Sequence, residues 1–506
     1  MELVNSFMTW IFKNRLGQIE NFKKNPIEVQ QEILFELIEE AKRTEFGRKY
    51  RFKDIQTYKD FASLVPIHDY EQMKPYIEKT MKGEQDVIWG KDIHWFSKSS
   101  GTTSSRSKYI PVSQDALEEC HFKGGKDMIS LYVNNFPDTK LFTGKNLSIG
   151  GSLSKNPFNE SSEMQVGDIS AVIMHNLPLW AQFVRTPSLP VALMGEWEAK
   201  IEKMAKEVME ENVVSISGVP TWTIVLIQKI LELKNAKNIL EVWPNLEVFF
   251  HGAVAFGPYR KLFQELIPSP KMRYMETYNA SEGFFGIQDQ KDSDELLLML
   301  DYGVFYEFIP MEEWDKENPK VIPLEEVEVG KNYAILISTN AGLWRYKIGD
   351  TVKFTNKRPY RFKISGRTKH FINAFGEEVI VENAEQAIQR AAEVTKSTIR
   401  NFTAAPVYFG DSRSKAAHEW VIEFEHMPED AHLFAEVLDK TLREINSDYD
   451  AKRYKDLALV APKIHFVHLG VFENWLKSKG KLGGQNKVPR LSNTREYIDE
   501  VLKFVK

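Results

Sequence analysis

The sequence predicts an α/β fold: a large N-terminal domain of β-sheets flanked by helices, followed by a smaller α+β C-terminal domain. Three observations carry this. Between residues 109 and 250, strand-like apolar runs that end in glycine or polar turns alternate with helical stretches. A β-rich stretch follows, with runs at 296–300, 304–309 and 333–338 separated by acidic and proline-bearing turns. After the compact polar turn Ser365-Gly366-Arg367-Thr368-Lys369 the pattern changes to mixed helices and strands for about 140 residues, a normal size for a domain. The expected boundary falls at this turn, giving domains 1–365 and 366–506 with a hinge at 366–370.

The elements follow in order. From Asn25-Pro26 onward, Ile27, Val29, Ile33, Leu34, Leu37 and Ile38 are spaced as one face of an amphipathic helix. Residues 61–76 continue in helical pieces broken by Pro66 and Pro75. A polar stretch at 95–108 runs into the short strand 109–112, and Ser113-Gln114-Asp115 then offers an N-cap and a helix start. A strand at 213–216 precedes Gly218-Val219-Pro220-Thr221 and an apolar helix, and a strand at 246–250 precedes His251-Gly252-Ala253. Strands ending in such turns are where α/β proteins place ligands. Past the boundary, a helix starts near 381, a strand covers 420–424, a helix 431–445 and a strand 464–469.

Composition narrows the function. The 506 residues carry 66 basic and 71 acidic side chains, a net charge of −5, so no global basic field draws the protein to nucleic acid or anionic lipid. The single cysteine, Cys120, excludes an internal disulfide and a cysteine-rich zinc site and fits a reducing compartment. Glu2 precedes the apolar part of the N-terminus and the cations follow it, the reverse of a secretory signal, and no apolar run reaches the length of a membrane span. The expectation is a soluble cytoplasmic protein that binds neither nucleic acid nor membrane.

The densest chemistry lies at 95–108. Ser99, Ser100, Thr102, Thr103, Ser104, Ser105 and Ser107 surround Gly101, with Arg106 and Lys108 beside them. Phosphate oxygens need several donors at once, and Gly101 lets the backbone turn closely enough to present its N–H groups. It is not a Walker loop: five residues after Gly101 stands Arg106 where that motif needs glycine, followed by Ser107 where it needs lysine. A solvated Ser/Thr turn has similar letters, so this stretch alone names no reaction.

Three further stretches bear on it. Glu276-Thr277-Tyr278-Asn279-Ala280-Ser281-Glu282-Gly283 joins a ring able to stack on a purine, small hydroxyls and a carboxylate able to hold Mg²⁺. Tyr346-Lys347-Ile348-Gly349-Asp350 ends in an acid that can accept hydrogen bonds from a ribose diol. Gln485-Asn486-Lys487-Val488-Pro489-Arg490 holds one lysine on a flexible loop beside a fixed proline. A buried tyrosine, a turn aspartate and a surface lysine are the plainer alternatives for each taken alone.

Together and in this order, Ser99 to Thr103, Tyr278 to Glu282, Tyr346 to Asp350 and Gln485 to Arg490 resemble the motifs of the adenylate-forming enzymes, and within them the auxin-responsive family of acyl acid amido synthetases. The resemblance covers the chain from about residue 95 to its end. It implies an ATP- and Mg²⁺-dependent ligase that adenylates a small carboxylic acid and joins it to an amino acid, releasing AMP and pyrophosphate. It also implies a mobile C-terminal domain. By position, Ser99, Ser100, Gly101, Thr102, Thr103 and Lys108 would cradle phosphates, and Glu282 would hold Mg²⁺. Gly252, Ala253 and Tyr278 would line the adenine, Asp350 would hold the ribose, and Thr277, Ser281 and Tyr346 would be further nucleotide-binding residues. Arg367 would lie at the hinge, and Lys487 would reach the α-phosphate, so that Lys487, Thr102 and Glu282 carry the catalysis.

Two departures stand out. Arg345 precedes the tyrosine and Lys347 takes the family's arginine position, leaving open which cation faces the nucleotide. His370 stands where the wider superfamily's hinge commonly has aspartate. The acyl pocket is expected along 169–185 and 218–226, where Trp180, Phe183 and Trp222 suit an apolar or aromatic acid. An acyl-CoA ligase sharing the first half-reaction and a non-catalytic nucleotide-binding regulator are the alternative functions. His418-Glu419 lacks the second histidine of a zinc-protease motif, and Gly150-Gly151-Ser152 lacks the last glycine of an esterase elbow.

Overall fold

The computed structural model describes residues 12, 15–102, 105–158, 164–314, 316–368, 371–410, 415–479 and 489–505, with side chains at all of these except 100–102, 105, 106 and 180.

The N-terminal helices pack against the large sheet. Pro26–Ala41 starts with proline in its first turn and buries Val29, Leu34, Leu37 and Ile38, the face set by the sequence spacing. Tyr58–Leu64 ends before Pro66, as expected, but Tyr70–Met81 runs straight through Pro75. A reciprocal capping box between Asp69 and Gln72, with Met73, Tyr76, Ile77 and Met81 buried, outweighs the one backbone hydrogen bond the proline removes.

β1 (Trp95–Thr102) and β2 (Ser105–Val112) form an antiparallel hairpin at the edge of a four-stranded sheet. Ser113 then caps the next helix: its Oγ accepts from the Ala116 N–H at 3.0 Å and donates to the Asn340 carbonyl at 2.6 Å. That helix opens with a π segment, Ala116–Phe122, before the α-helix Lys123–Asn135.

Among the described residues, a twelve-stranded sheet forms the body of the protein. Its first half is parallel and includes β3 (Val213–Gly218), β4 (Val248–His251) and β5 (Arg273–Ala280). From β5 to β6 (Gly283–Ile287) it becomes antiparallel and continues through β7 (Tyr346–Lys357) and β8 (Tyr360–Arg367). Strand alternation sends Val248 and Phe250 into one apolar cluster and Phe249 into the other. The first cluster joins the N-terminal helices to the antiparallel half, and the second runs from the parallel half into residues beyond 371.

The C-terminal part holds a three-stranded sheet of Thr398–Val407, Ala417–His426 and Lys463–His468, flanked by Val381–Thr395 and Ala431–Ile445. It meets the N-terminal part through buried contacts. The Tyr259 hydroxyl donates to the Ala374 carbonyl, and Thr221 Oγ1 donates to the Phe375 carbonyl at 3.2 Å. No helix among the described residues is long and apolar enough to cross a membrane.

Candidate active site

The hydroxyl-rich stretch is the end of a hairpin rather than an open loop. Ser99 pairs with Lys108, Ser100 with Ser107 and Thr102 with Ser105, so part of the backbone donor set expected for phosphate lies in the ladder. Thr103 and Ser104 lie outside the described residues. The hairpin is tied to the next motif by Ser97, whose buried Oγ donates to Ser281 Oγ at 2.9 Å.

Strand pairing of Ala280 with Gly283 leaves Ser281-Glu282 as a two-residue tip between β5 and β6. Glu276 to Ala280 lie on β5. Glu282 is half-buried, and burial pushes its carboxyl up to about 7. Lys108 opposes that shift, while Asp350 and Glu378 reinforce it. The β1–β2 hairpin, the β5–β6 tip and Asp350 are therefore within electrostatic reach of one another.

Asp350 sits on β7 directly opposite Arg367 of β8, after Gly349 at φ 95°. The Tyr278 hydroxyl donates to Asp350 Oδ2 at 2.5 Å, and Arg367 Nε donates to Oδ1 at 2.6 Å. Burial and the adjoining Asp350 carboxylate hold the Tyr278 phenol well above its ordinary value. Its ring is enclosed, edge-on to Phe285 at 5.0 Å and to Phe362 at 6.2 Å. This corrects the stacking role expected of Tyr278: the hydroxyl reaches the site, and the ring belongs to the core. Tyr346, expected among the nucleotide-binding residues, is 1% exposed and packs within the first apolar cluster.

The backbone turn at the end of β4 lies alongside β5. A Cβ on Gly252 would come within 2.4 Å of the Thr277 carbonyl, Ala253 takes φ 70°, and Thr277 Oγ1 donates to the His251 carbonyl at 3.3 Å. Gly252, Ala253, Thr277, Tyr278 and Asp350 thus line one edge where the sheet passes from parallel to antiparallel. Gly252 and Ala253 follow the carboxyl end of β4, and open α/β sheets hold ligands beyond the carboxyl ends of their strands.

Neither cation of the Arg345-Tyr346-Lys347 run faces this edge. Arg345, at φ 42°, makes a two-pronged ion pair with Glu307, both bonds 2.9 Å, and donates to the Ala62 and Val65 carbonyls. Lys347 Nζ lies 4.8 Å over the Trp314 ring. The cation beside Asp350 is Arg367, which also donates from Nη2 to Glu378 Oε1 at 3.3 Å. Lys369, His370 and Lys487 lie outside the described residues. C-terminal to Lys487, Thr403 Oγ1 donates to the Pro489 carbonyl at 2.7 Å and Leu491 bridges Ala404.

The sequence matches the GH3 family N-terminal domain over residues 15–272, the GH3 family central domain over 297–367 and the GH3 family C-terminal domain over 382–496. The chain belongs to the GH3 family. It is 23% identical to the indole-3-acetic acid-amido synthetase GH3.4 of Arabidopsis thaliana, over 93% of this chain and 90% of that one. It is 24% identical to the 4-substituted benzoates-glutamate ligase GH3.12 of the same plant, over 94% of each. Its fold matches the solved AtGH3.15 acyl acid amido synthetase in complex with 2,4-DB, with a TM-score of 0.62 at 19% identity over 98% and 96% of the two chains.

Within this GH3 fold the expected acyl walls need correction. Trp222 is 4% exposed because Trp197 stacks on it at 3.7 Å and 5°, with Lys452 Nζ 4.6 Å from its ring. Phe183 is 79% exposed on the short helix Leu179–Phe183, and the Trp180 side chain lies outside the described set. Long-range stacking partners and exposure are not visible in an apolar run. The sequence reading also passed over Glu378. Its signal was a Gly376-Glu377-Glu378 turn just past the expected hinge, an acid pair on the segment that meets the site.

Proposed function

We propose that this GH3 chain is an ATP-dependent ligase that adenylates a small carboxylic acid and joins it to an amino acid through an amide bond. The observation that supports this most is the gathering of three separate motifs, the β1–β2 hairpin, the Ser281-Glu282 tip and Asp350, at one edge of the sheet. Family membership and the amido synthetases among its relatives support the same reading.

ATP is consumed as a substrate. In the first half-reaction an oxygen of the acid attacks the α-phosphorus, and pyrophosphate leaves with the electron pair of the P–O bond. Several anionic groups must approach, so positioned donors and cations lower the barrier by offsetting their repulsion. Ser99 to Thr103 and Lys108 would hold phosphate oxygens, Asp350 would take the ribose diol with Arg367 fixing its carboxylate, and Gly252 and Ala253 would admit the base. Lys487 would bridge the α-phosphate and the acid.

Mg²⁺ bound to the phosphates would supply charge neutralisation, and Glu282 would hold it. Among the described residues no group of three or more His, Cys, Asp or Glu side chains could cage a metal. A single hard carboxylate suits an ion that arrives on phosphates and keeps its waters. In the second half-reaction the amine of the amino acid attacks the acyl carbon and AMP leaves. Residues 366–506 would act as a second domain turning about 366–370 between the steps. Acid-dependent exchange of labelled pyrophosphate into ATP, followed by amino-acid-dependent AMP release, tests the two halves in turn. Absence of exchange with every acid would overturn the proposal.

A further inference from the structure

The C-terminal part sends one carboxylate into the nucleotide edge, that of Glu378. Its backbone is held in the left-handed region at φ 42°, a conformation costly for a non-glycine residue and kept where neighbours enforce it. Those neighbours are identifiable. The Glu378 N–H donates to Asn373 Oδ1 at 3.3 Å, and Asn446 Nδ2 donates to the Glu378 carbonyl at 3.1 Å. Just before it, the Glu377 carboxylate accepts from the Phe375 N–H at 2.6 Å and is bonded to His418 Nε2 at 2.8 Å, with both side chains fully buried. The same turn reaches the N-terminal part through Asn373 Nδ2, which donates to the Ala253 carbonyl at 3.3 Å.

This bracing delivers the Glu378 side chain to the reaction edge. Oε1 takes the 3.3 Å bond from Arg367, whose Nε holds Asp350, and Oε2 makes no hydrogen bond among the described residues. Among the described residues, the charged groups that interact with Glu378 are Arg367 on β8 and Glu282 on the β5–β6 tip, which its charge reaches; Arg367 also pairs with Asp350. An ammonium ion approaching Glu378 would meet Oε2, the carboxylate oxygen that Arg367 leaves uncovered.

We propose that Glu378 is the residue that binds the protonated amine of the acceptor and takes its proton. This rests on the adenylation reading above. The ammonium nitrogen gives a proton to Glu378 Oε2, and the freed lone pair forms the N–C bond at the acyl carbon. The C–O bond to AMP breaks with its electron pair left on the phosphate oxygen. The second nitrogen proton passes to solvent as the amide forms, and the Glu378 proton follows it.

The test uses the full chain with benzoyl-adenylate and indol-3-ylacetyl-adenylate as acyl donors and the twenty amino acids as acceptors. Glu378→Gln should slow amide formation at pH 7.5 by roughly 100-fold or more, the scale of a lost general base. The rate should climb with pH as free amine accumulates, and Glu378→Asp should recover part of it. Hydroxylamine, already neutral at pH 7.5, should react with the bound adenylate at near the parent rate in both variants, which also shows that they fold and hold the adenylate. Amide formation within threefold of the parent in Glu378→Gln overturns the inference, as does a parallel loss of the hydroxylamine reaction. A parent enzyme that turns neither adenylate into an amide with any amino acid overturns the functional reading itself, and this inference with it.

Discussion

The Tyr278 hydroxyl donates to Asp350 Oδ2 across 72 residues of sequence, joining β5 to β7 at the carboxylate proposed for the ribose. With Arg367 on Oδ1, the carboxylate is oriented before any ligand arrives.

Asp350→Ala should therefore weaken ATP binding roughly 10- to 100-fold, the loss expected for charge-assisted hydrogen bonds. Tyr278→Phe leaves the acid but frees its orientation, and should cost only several-fold. Titration calorimetry on folded protein checks both. Unchanged affinity in Asp350→Ala would make it a turn residue.

The Arg345–Glu307 pair is the opposite case, a buried ion pair away from the nucleotide edge, with the Tyr58 hydroxyl also donating to Glu307 at 2.9 Å. Glu307→Ala leaves a buried guanidinium unpaired and should lower stability by about 3–5 kcal/mol in urea unfolding. ATP affinity below the unfolding transition should stay within twofold of the parent. A large loss of affinity at intact stability would return Arg345 to the site.

Burial raises the Glu282 carboxyl from its ordinary 4.5 to about 7. A group raised on folding contributes stability that is fully present below about 4.5 and lost as pH rises to about 7. Glu282→Gln, neutral throughout, should thus raise the melting temperature more at pH 8 than at pH 5. If Glu282 holds the metal, magnesium-dependent ATP binding in the parent should strengthen with pH up to about 7 and level off, with a flatter profile in Glu282→Gln. Identical profiles would place the metal elsewhere.

Local signals in the sequence carried much of the fold. The Ser113 cap, the helix Ala431–Ile445 and the strands around 213–216 and 304–309 stand where their spacing and turn chemistry put them. The site was legible as a set of motifs because each is a short run of chemically distinctive residues. What the motifs did not show is which atoms face inward. Whether Tyr278 offers a ring or a hydroxyl depends on Phe285 and Phe362, and whether Arg345 meets a nucleotide depends on Glu307. Trp222 was assigned to an acyl wall for its size, but Trp197 covers it. Such pairings are set by tertiary packing between distant strands, which no local period encodes.

Lys487 lies more than 100 residues beyond Arg367, on the proposed second domain. If that domain turns between the half-reactions, Lys487→Ala should cripple pyrophosphate exchange while supplied acyl-adenylate is still converted to amide near the parent rate. Lys369→Pro, which fixes φ at the proposed hinge, should slow the complete cycle more than either half alone. Equal slowing of both halves by Lys487→Ala would end the alternation idea.

The most direct test of the central claim is AMP release from ATP and Mg²⁺, measured across a matrix of carboxylic acids and amino acids, with and without coenzyme A. The ligase proposed here predicts AMP that requires both an acid and an amino acid and matches an amide product mole for mole. AMP release that depends on coenzyme A and ignores the amino acid would contradict it.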